Sequence, residues 1–260
     1  MSSHDLSEVE LIKHCRSCHE SDLIGGSKYG NRVVKISNDK VVKFGAGVTF
    51  YEKINQQIAS ELVDAGVVKI PKVYRFFTDD RDWGYIEMEY VQGKMIDREF
   101  LTEVHIKKLA NILHHFSNIT RPFPGSLSGG PSIGLLWPDT NDLFIKSVSH
   151  IENWFNSRLF KNQDQVSLQD CKFQKMIFCH LDIAPRNIVW HKDGCIYLLD
   201  WASAGFYPRL FEHLTLWVFP SKFNRMLINA MNIDDPISGI EDKQRKAIRV
   251  ALQNIEKYSL

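Results

Sequence analysis

The sequence predicts an α+β fold in two lobes, a small β-rich lobe over residues 1–92 and a larger, mainly helical lobe over residues 93–260. Three observations point there. Short apolar strands punctuated by turn residues run from Arg32 to Phe44 and from Ile70 to Val91. Apolar residues at spacings near 3.6 dominate most of the chain beyond Val91. Between the helical stretches, a strand-turn-strand unit gathers Asp182, Asn187 and Asp200 at one end of a hairpin. A chain of 260 residues is long enough for two modest lobes sharing a cleft.

In order, Ser7 and Glu10 stand at capping-box spacing, so a helix should carry the segment that includes His14-Cys15-Arg16-Ser17-Cys18-His19. The C-x-x-C-H order there also matches covalent haem attachment, and His and Cys bind zinc. No second Cys/His pair lies at zinc-finger spacing, so a plain amphipathic helix is expected. Next, Gly25-Gly26-Ser27-Lys28-Tyr29-Gly30 leads into Arg32-Val33-Val34-Lys35-Ile36, a Ser37-Asn38-Asp39 turn and Val41-Val42-Lys43-Phe44. This glycine loop matches neither G-x-x-x-x-G-K-[ST] nor G-x-G-x-x-G, and its glycines suit tight turns as well as a phosphate cover. A helix follows from Val48 to Val63, then two strands, Ile70 to Arg75 and Gly84 to Val91, around the acidic turn Thr78-Asp79-Asp80.

From Asp97 the pattern turns helical through Phe100, Leu101, Val104, Ile106, Leu109, Ile112, Leu113, Phe116 and Ile119. His105, His114 and His115 on this helix have no carboxylate or Cys set around them and read as surface or packing residues. Pro122, Pro124, Gly125, Gly129, Gly130 and Pro131 make an irregular connector. Helical periodicity returns near Asp142–Phe160, Pro208–Ile228 and Glu241–Tyr258.

Composition narrows the function classes. Hydrophobic residues at 44% and charged residues at 24% sit near globular averages, so a packed core is expected. A net charge of +1 argues against a dominant electrostatic grip on nucleic acid or an anionic membrane. No apolar stretch approaches the ~20 residues needed to span a bilayer. The start, Met1 to Glu8, lacks the basic and apolar regions of a secretory signal, and the expectation is a cytoplasmic protein. Five cysteines, an odd number, do not suggest a disulfide framework in that reducing compartment.

The chemistry lies in His180-Leu181-Asp182-Ile183-Ala184-Pro185-Arg186-Asn187 and in Leu198-Leu199-Asp200-Trp201. An apolar run, Gln174 to Cys179, brings the chain to this loop, and Ile188-Val189-Trp190 leads away from it. The turn His191-Lys192-Asp193-Gly194 and the strand Cys195-Ile196-Tyr197-Leu198-Leu199 then return Asp200 to the same end. Isolated Asp and Asn in loops mostly cap helices or make turns; here a hairpin converges three of them. An Asp, an Asn five residues on and a second Asp after an apolar strand suit phosphoryl transfer from a nucleotide. One acid accepts the proton of an incoming hydroxyl, while an amide oxygen and the other carboxylate hold magnesium on the phosphates. Magnesium takes few protein oxygens and keeps phosphate and water for the rest, so the sparse pair Asn187 and Asp200 is appropriate. Protein kinases carry H-R-D-x-x-x-x-N and D-F-G in these roles; Leu181 replaces the Arg and Trp201 the Phe. His180 suits a prop for the loop, and Arg186 reads equally as a phosphate or substrate contact or as a solvent-facing residue.

Lys43 extends the constellation. A Lys ending an apolar strand is ordinarily an exposed edge residue. In a kinase-like lobe it reaches the α- and β-phosphates and needs a carboxylate from the next helix, where Glu52 and Glu61 both stand.

The segment His180 to Val189, with Leu199-Asp200-Trp201-Ala202-Ser203-Ala204-Gly205-Phe206-Tyr207-Pro208, resembles the aminoglycoside phosphotransferase and choline kinase-like family. It is especially similar to the fungal phosphotransferase branch, with its H-G-D-L-x-x-x-N and I-D-W-x-x-A-G-F-Y-P segments. Leu181 departs from the usual Gly, which implies a slightly different backbone there. The resemblance implies a protein-kinase-like fold and transfer of the γ-phosphate of ATP, or of GTP, to a hydroxyl of a small molecule. Asp182, Asn187 and Asp200 would be the catalytic residues, with Asp182 as base and Asn187 and Asp200 on Mg2+. It favours Glu52 over Glu61 as the partner of Lys43. It also places a hinge at Ile86 to Gly93, where the backbone of Glu89 and Val91 would contact adenine and Met88 and Tyr90 would line the base.

The acceptor is open. Glu212, Asp234, Asp235, Glu241 and Asp242 would suit polycationic sugars. Trp137, Trp154, Trp201, Phe206, Tyr207, Trp217 and Phe219 could line a pocket for choline-like cations, although such aromatics more often fill a core. An inactive nucleotide-binding scaffold is the alternative, but Lys43, Asp182, Asn187 and Asp200 all match the family's polar positions. A protein Ser/Thr kinase would need an extended segment after Asp200, and Tyr207-Pro208 comes too soon. The expectation is a small-molecule kinase with no nucleic-acid or membrane partner.

Overall fold

The computed structural model describes residues 6–95, 101–138, 142–169 and 175–258. Met1 to Asp5, Asp97 and Phe100, with which the expected helical pattern opens, and Gln174 of the expected apolar run lie outside the described residues.

The smaller lobe is a five-stranded antiparallel sheet in the order β1-β2-β3-β5-β4, built from β1 (Leu23–Gly26), β2 (Arg32–Lys35), β3 (Lys40–Gly45), β4 (Val73–Thr78) and β5 (Gly84–Glu89). Its two faces follow the period of two along a strand. On one face Val34, Val42, Phe44, Phe77 and Tyr85 pack against Leu11 and Cys15 of α1 (Glu8–Ser17). The capping box forms as the spacing predicts: Ser7 Oγ accepts the Glu10 amide, and the Glu10 carboxylate accepts the Ser7 amide at 2.8 Å. Burial pushes the Cys15 thiol up to about 12, so it behaves as a small core hydrophobe. Among the described residues no group of three or more His, Cys, Asp or Glu gathers as a metal site. Of the C-x-x-C-H segment, Cys15 packs in the core from α1, Cys18 caps the end of that helix and His19 lies beyond it.

The opposite face meets α2 (Phe50–Leu62). Phe50 packs edge-on to Phe76 with ring centroids 5.8 Å apart, and Val48, Val73 and Ile86 bury together beside Met88. Lys43 is register partner to Ile86 and shares this inner face.

The chain then enters the larger lobe. β6 (Gly93–Met95) pairs with β10 (Ile188–His191), which pairs with β11 (Ile196–Leu198). Gly93 is required there, because a Cβ would stand 2.4 Å from Val189 and 2.6 Å from the Trp190 carbonyl oxygen. The long helix α3 (Glu103–Asn118) buries Ile106, Leu109, Ile112, Leu113 and Phe116 along one stripe. A second sheet runs in the order β7-β9-β12-β8, from β7 (Thr120–Arg121), β8 (Gly125–Ser126), β9 (Met176–Cys179) and β12 (Gly205–Pro208). The helices α4 (Val148–Asn156), α5 (Leu210–Val218), α6 (Lys222–Asp234) and α7 (Gly239–Tyr258) complete the lobe.

Strand β12 departs from the expected helix start at Pro208. Its four residues are buried between β8 and β9, and the helix begins only at Leu210. A four-residue aromatic run has no periodicity of its own, and its pairing partners are distant in sequence. The expected Pro208–Ile228 helix is likewise two helices, broken around Pro220.

The core settles the aromatic question. Phe178 stacks on Trp201 at 5.9 Å and meets Phe116 edge-on at 4.7 Å, while Trp137, Trp154, Phe155, Tyr207 and Phe211 form a second cluster. Trp137, Trp154, Trp201, Phe206 and Tyr207 are thus buried packing residues. The cations over Trp154 and Phe206 are the chain's own Arg158 and Arg121. Trp217 is half-buried under Arg245 and Arg249, and Phe219 is exposed. Phe178→Ala should cost about 3–5 kcal/mol of unfolding free energy in denaturant titration, because it opens a cavity under Trp201. Phe219→Ala should stay within about 0.5–1 kcal/mol of wild type in the same measurement.

Candidate active site

Lys43 lies between two acids. Its Nζ is 2.5 Å from Glu52 Oε1 and 3.1 Å from Asp200 Oδ1, with only 10% of the side chain exposed. Glu52 sits in the first turn of α2, whose N-cap Thr49 accepts the Glu52 amide at 3.2 Å. Glu61 is exposed at the far end of the helix, so the structure pairs Lys43 with Glu52. Burial alone would lower the Lys43 pKa, but the two carboxylates outweigh it and raise the ammonium above its ordinary value. Burial likewise raises the Glu52 carboxyl against the pull of Lys43, and Glu52 Oε2 is buried without a partner. At Asp200 burial pushes upward, yet Lys43 wins and holds the carboxyl below its usual range. Lys43 is therefore charged, and Asp200 is ionised beside it.

The loop after β9 is fixed by its own backbone contacts. Leu181 and Asp200 both have left-handed φ, +64° and +63°. Leu181 thus holds a left-handed conformation that glycine reaches without strain. His180 is fully buried; its Nδ1 accepts the Asp182 amide at 3.2 Å and its Nε2 donates to the Leu199 carbonyl at 3.1 Å. That bonding fits the neutral ring, and burial lowers the His180 pKa. His180 props the loop, as expected.

Asn187 and Asp182 form one unit. Asn187 Nδ2 donates to the Asp182 carbonyl at 2.9 Å and to Asp182 Oδ2 at 2.8 Å. Both partners only accept, which fixes the amide orientation and turns Asn187 Oδ1 away from Asp182. The Leu199 amide donates to the Asn187 carbonyl at 2.9 Å, tying the residue before Asp200 to the loop. Arg186 Nη2 lies 2.5 Å from Asp182 Oδ1 with 65% of its side chain in solvent, so Arg186 is a surface residue that nonetheless touches Asp182.

Beneath the loop stands Glu212 of α5. Its carboxylate accepts the His180 amide at 2.7 Å and the Leu181 amide at 3.2 Å. Burial pushes Glu212 up to about 7 while those amides pull it down. Glu212 is therefore not part of an acidic acceptor surface. Glu241 is also buried and holds Arg209 at 2.7 Å, Asp235 pairs with the same Arg209, and Asp242 pairs with Arg245 and Lys246. A signal for Glu212 was present in the sequence: it interrupts the apolar run Leu210-Phe211-Glu212-His213-Leu214, where a charge implies a specific buried partner.

At the hinge the Glu89 amide donates to the Lys72 carbonyl and the Tyr90 amide to the Asp39 carbonyl, both at 2.8 Å. The amide of Glu89 is therefore already committed. Its carboxylate faces the Lys72 amide at 3.1 Å, and Met88 lies on the α2 side with Sδ 3.6 Å from Gln56 Nε2. Tyr90 lies under Lys35 Nζ at 4.5 Å, and Val91 comes next, outside any strand. Lys69 pairs with β11 through two backbone bonds of 2.8 and 3.0 Å, a second tie between the lobes.

A β-rich lobe set over a helical lobe, with these residues between them, is the kinase-like architecture of a phosphotransferase. The sequence pattern of the phosphotransferase enzyme family matches residues 23–236, and the chain belongs to that family. It is a small-molecule kinase. No curated protein matches the chain. Among solved structures it is similar to a thermostable mutant of aminoglycoside phosphotransferase APH(4)-Ia in ternary complex with AMP-PNP and hygromycin B. That match has 15% identity and a TM-score of 0.58, covering 97% of this chain and 91% of the other. A protein described as a putative fructosamine-3-kinase from Haemophilus somnus matches at 12% identity and TM-score 0.59, covering 93% of this chain and 85% of the other. The GDP complex of an aminoglycoside 2'-phosphotransferase-IIIa mutant matches at 11% identity and TM-score 0.52, covering 94% and 85%.

Two substitutions test this geometry. Glu212 has a folded pKa above its unfolded value, so its contribution to stability is complete below about 4.5 and is lost as pH rises through about 7. The unfolding free energy of wild type relative to Glu212→Gln should therefore fall by about 1–3 kcal/mol between pH 5 and pH 8. Leu181→Gly relieves roughly 1–2 kcal/mol of left-handed strain but removes a buried side chain worth about 2–5 kcal/mol. Net destabilisation by denaturant unfolding is the expected result.

Proposed function

We propose that this chain transfers the γ-phosphate of ATP to a hydroxyl of a small molecule, with Asp182 as the base and Lys43, Glu52, Asn187 and Asp200 on the nucleotide side. GTP is the alternative donor. The observation that carries the reading is the Lys43 ammonium bonded to both Glu52 and Asp200 at the mouth of the Asp182–Asn187 loop. The lobe boundary we assign falls between Gln92 and Gly93, where the chain leaves the five-stranded sheet and begins pairing with β10.

In this mechanism Lys43, held by Glu52, orients the α- and β-phosphates. Asp182 lies close enough to Asn187 to be aimed by it. It takes the proton of the acceptor hydroxyl as the phosphoryl group moves, and most of the rate comes from positioning. The free Asn187 Oδ1 and the ionised Asp200 carboxylate fit a Mg2+ site, a hard cation that needs only a few protein oxygens. When bound there, the ion would neutralise charge on the phosphates. Arg186 would have to leave Asp182 Oδ1 for the acceptor to approach, and its exposure permits that. At the hinge, Met88, Tyr90, the Glu89 carbonyl and the Val91 backbone are the groups we assign to the base.

A small acceptor is supported by the short span from Asp200 to β12 at Gly205, which leaves no platform for a protein substrate. Among the described residues no helix is long and apolar enough to cross a membrane. We propose no nucleic-acid partner.

The test is an ATP-consumption assay against a panel of hydroxylated metabolites. Asp182→Asn should lower turnover about 100- to 10,000-fold, while the thermal shift produced by ATP and magnesium stays near wild type. Undiminished turnover in Asp182→Asn would sink the mechanism. Magnesium-dependent ATP binding without turnover on any acceptor would favour an inactive scaffold.

A further inference from the structure

Helix α2 carries a second polar residue one turn beyond Glu52. Asn55 is 1% exposed and shares the buried stripe of Glu52, Gln56 and Ala59. Its Nδ2 donates to the carbonyls of Trp201 at 3.2 Å and Ala202 at 3.0 Å. Its Oδ1 accepts from Ser126 Oγ at 3.1 Å and from the Ser128 amide at 2.8 Å. Both amide protons and both lone pairs are thus used, with each partner of the required polarity, so the orientation has no alternative.

One side chain thereby joins three segments: the helix that holds Lys43's partner, the two residues just past Asp200, and β8 with the connector that follows it. The contacts around it are close. A Cβ on Gly130 would stand 2.4 Å from the Tyr51 ring, and one on Gly134 would stand 2.3 Å from Ser203 Oγ. The connector is therefore pressed against both α2 and the segment after Asp200. Asp200 itself has φ +63°, a conformation that non-glycine residues keep only where the surroundings hold it. Trp201 anchors one side through Nε1 to the Leu198 carbonyl at 3.0 Å and through its stacking on Phe178. On the other side the restraint comes from Asn55, through the peptides just past Asp200. Glu52 fixes Lys43 and Asn55 fixes the Asp200 segment from adjacent turns of one helix.

We infer that Asn55 is a positioning residue that sets the Asp200 carboxylate relative to Lys43, and so shapes the metal–nucleotide site; this rests on the assignment of Asp200 as a metal ligand. Asn55 touches neither reacting group. Its effect must pass through Asp200, and it should appear in the binding of magnesium–nucleotide rather than of nucleotide alone.

The experiment compares Asn55→Asp, Asn55→Ala, Ser126→Ala and Asp200→Asn by calorimetric titration with ATP, with and without magnesium, and by turnover on an accepted hydroxyl substrate. Asn55→Asp keeps oxygen acceptors for Ser126 and Ser128 but sets an oxygen against the Trp201 and Ala202 carbonyls. Both Asn55 variants should weaken magnesium–ATP binding about tenfold or more and lower kcat, with metal-free ATP binding changed less than about twofold. Ser126→Ala, which loses one bond on the far side of the amide, should stay within about twofold of wild type throughout.

Equal weakening with and without magnesium, wild-type behaviour of both Asn55 variants, or failure of both to fold would each overturn the positioning role. Asp200→Asn separates the two levels. If it abolishes the magnesium effect while Asn55→Asp leaves it intact, only the positioning role falls. If Asp200→Asn leaves the magnesium effect intact, the metal assignment falls, and the inference with it.

Discussion

The buried ammonium of Lys43 between Glu52 and Asp200 is the interaction on which the rest depends. A lone charge taken out of water is costly, and removing one partner of a buried pair typically costs about 3–5 kcal/mol. Here one cation holds an acid from each lobe, at 2.5 Å and 3.1 Å, so the relative position of the lobes is tied to charge balance. The arrangement carries one more negative charge than positive. That surplus suits the divalent cation and phosphates proposed for this site, while Lys43 keeps Asp200 ionised and burial pushes Glu52 upward.

Around that pair, the loop is held by hydrogen bonds to backbone rather than by side-chain packing alone. Glu212 accepts two successive amides from below, His180 bridges the Asp182 amide to the Leu199 carbonyl, and Asn187 fastens the Asp182 carbonyl and carboxylate. Two left-handed residues, Leu181 and Asp200, sit inside this net. Their strain is tolerated because the surrounding bonds leave the backbone few alternatives. A rigid, pre-bonded loop is what a reaction governed by positioning requires.

Much of this was legible in the sequence because it rests on local order. The Asp182–Asn187 spacing, the Asp193-Gly194 turn and the strand that returns Asp200 are contiguous features, and the hairpin forms with Ile188 opposite Leu198. The capping box at Ser7 and Glu10 is equally local. Asn55 and Glu212 were less legible. Glu212 is a polar residue inside an apolar helical run, which signals a buried partner without saying which one. Asn55 sits among the polar residues Glu52 and Gln56, with no apolar run to set it off. Their partners lie 146 residues away for Asn55 and Trp201, and 32 for Glu212 and His180. The acidic residues of the C-terminal third misled for the same reason: composition counts charges, but Glu212 and Glu241 are spent on an amide pair and on Arg209.

By itself the sequence determined the class of fold, the family and the hairpin loop in which Asn187 meets Asp182, because periodicity, turn residues and short-range spacing dictate local structure. Only the tertiary structure decided which glutamate pairs with Lys43, that the buried tryptophans are core, that Gly205–Pro208 is a strand, and that Asn55 joins α2 to the Asp200 segment. Those are contacts between segments far apart in the chain. Partner choice there is set by burial and by hydrogen-bond satisfaction across the packed lobes, quantities that no local window of residues contains.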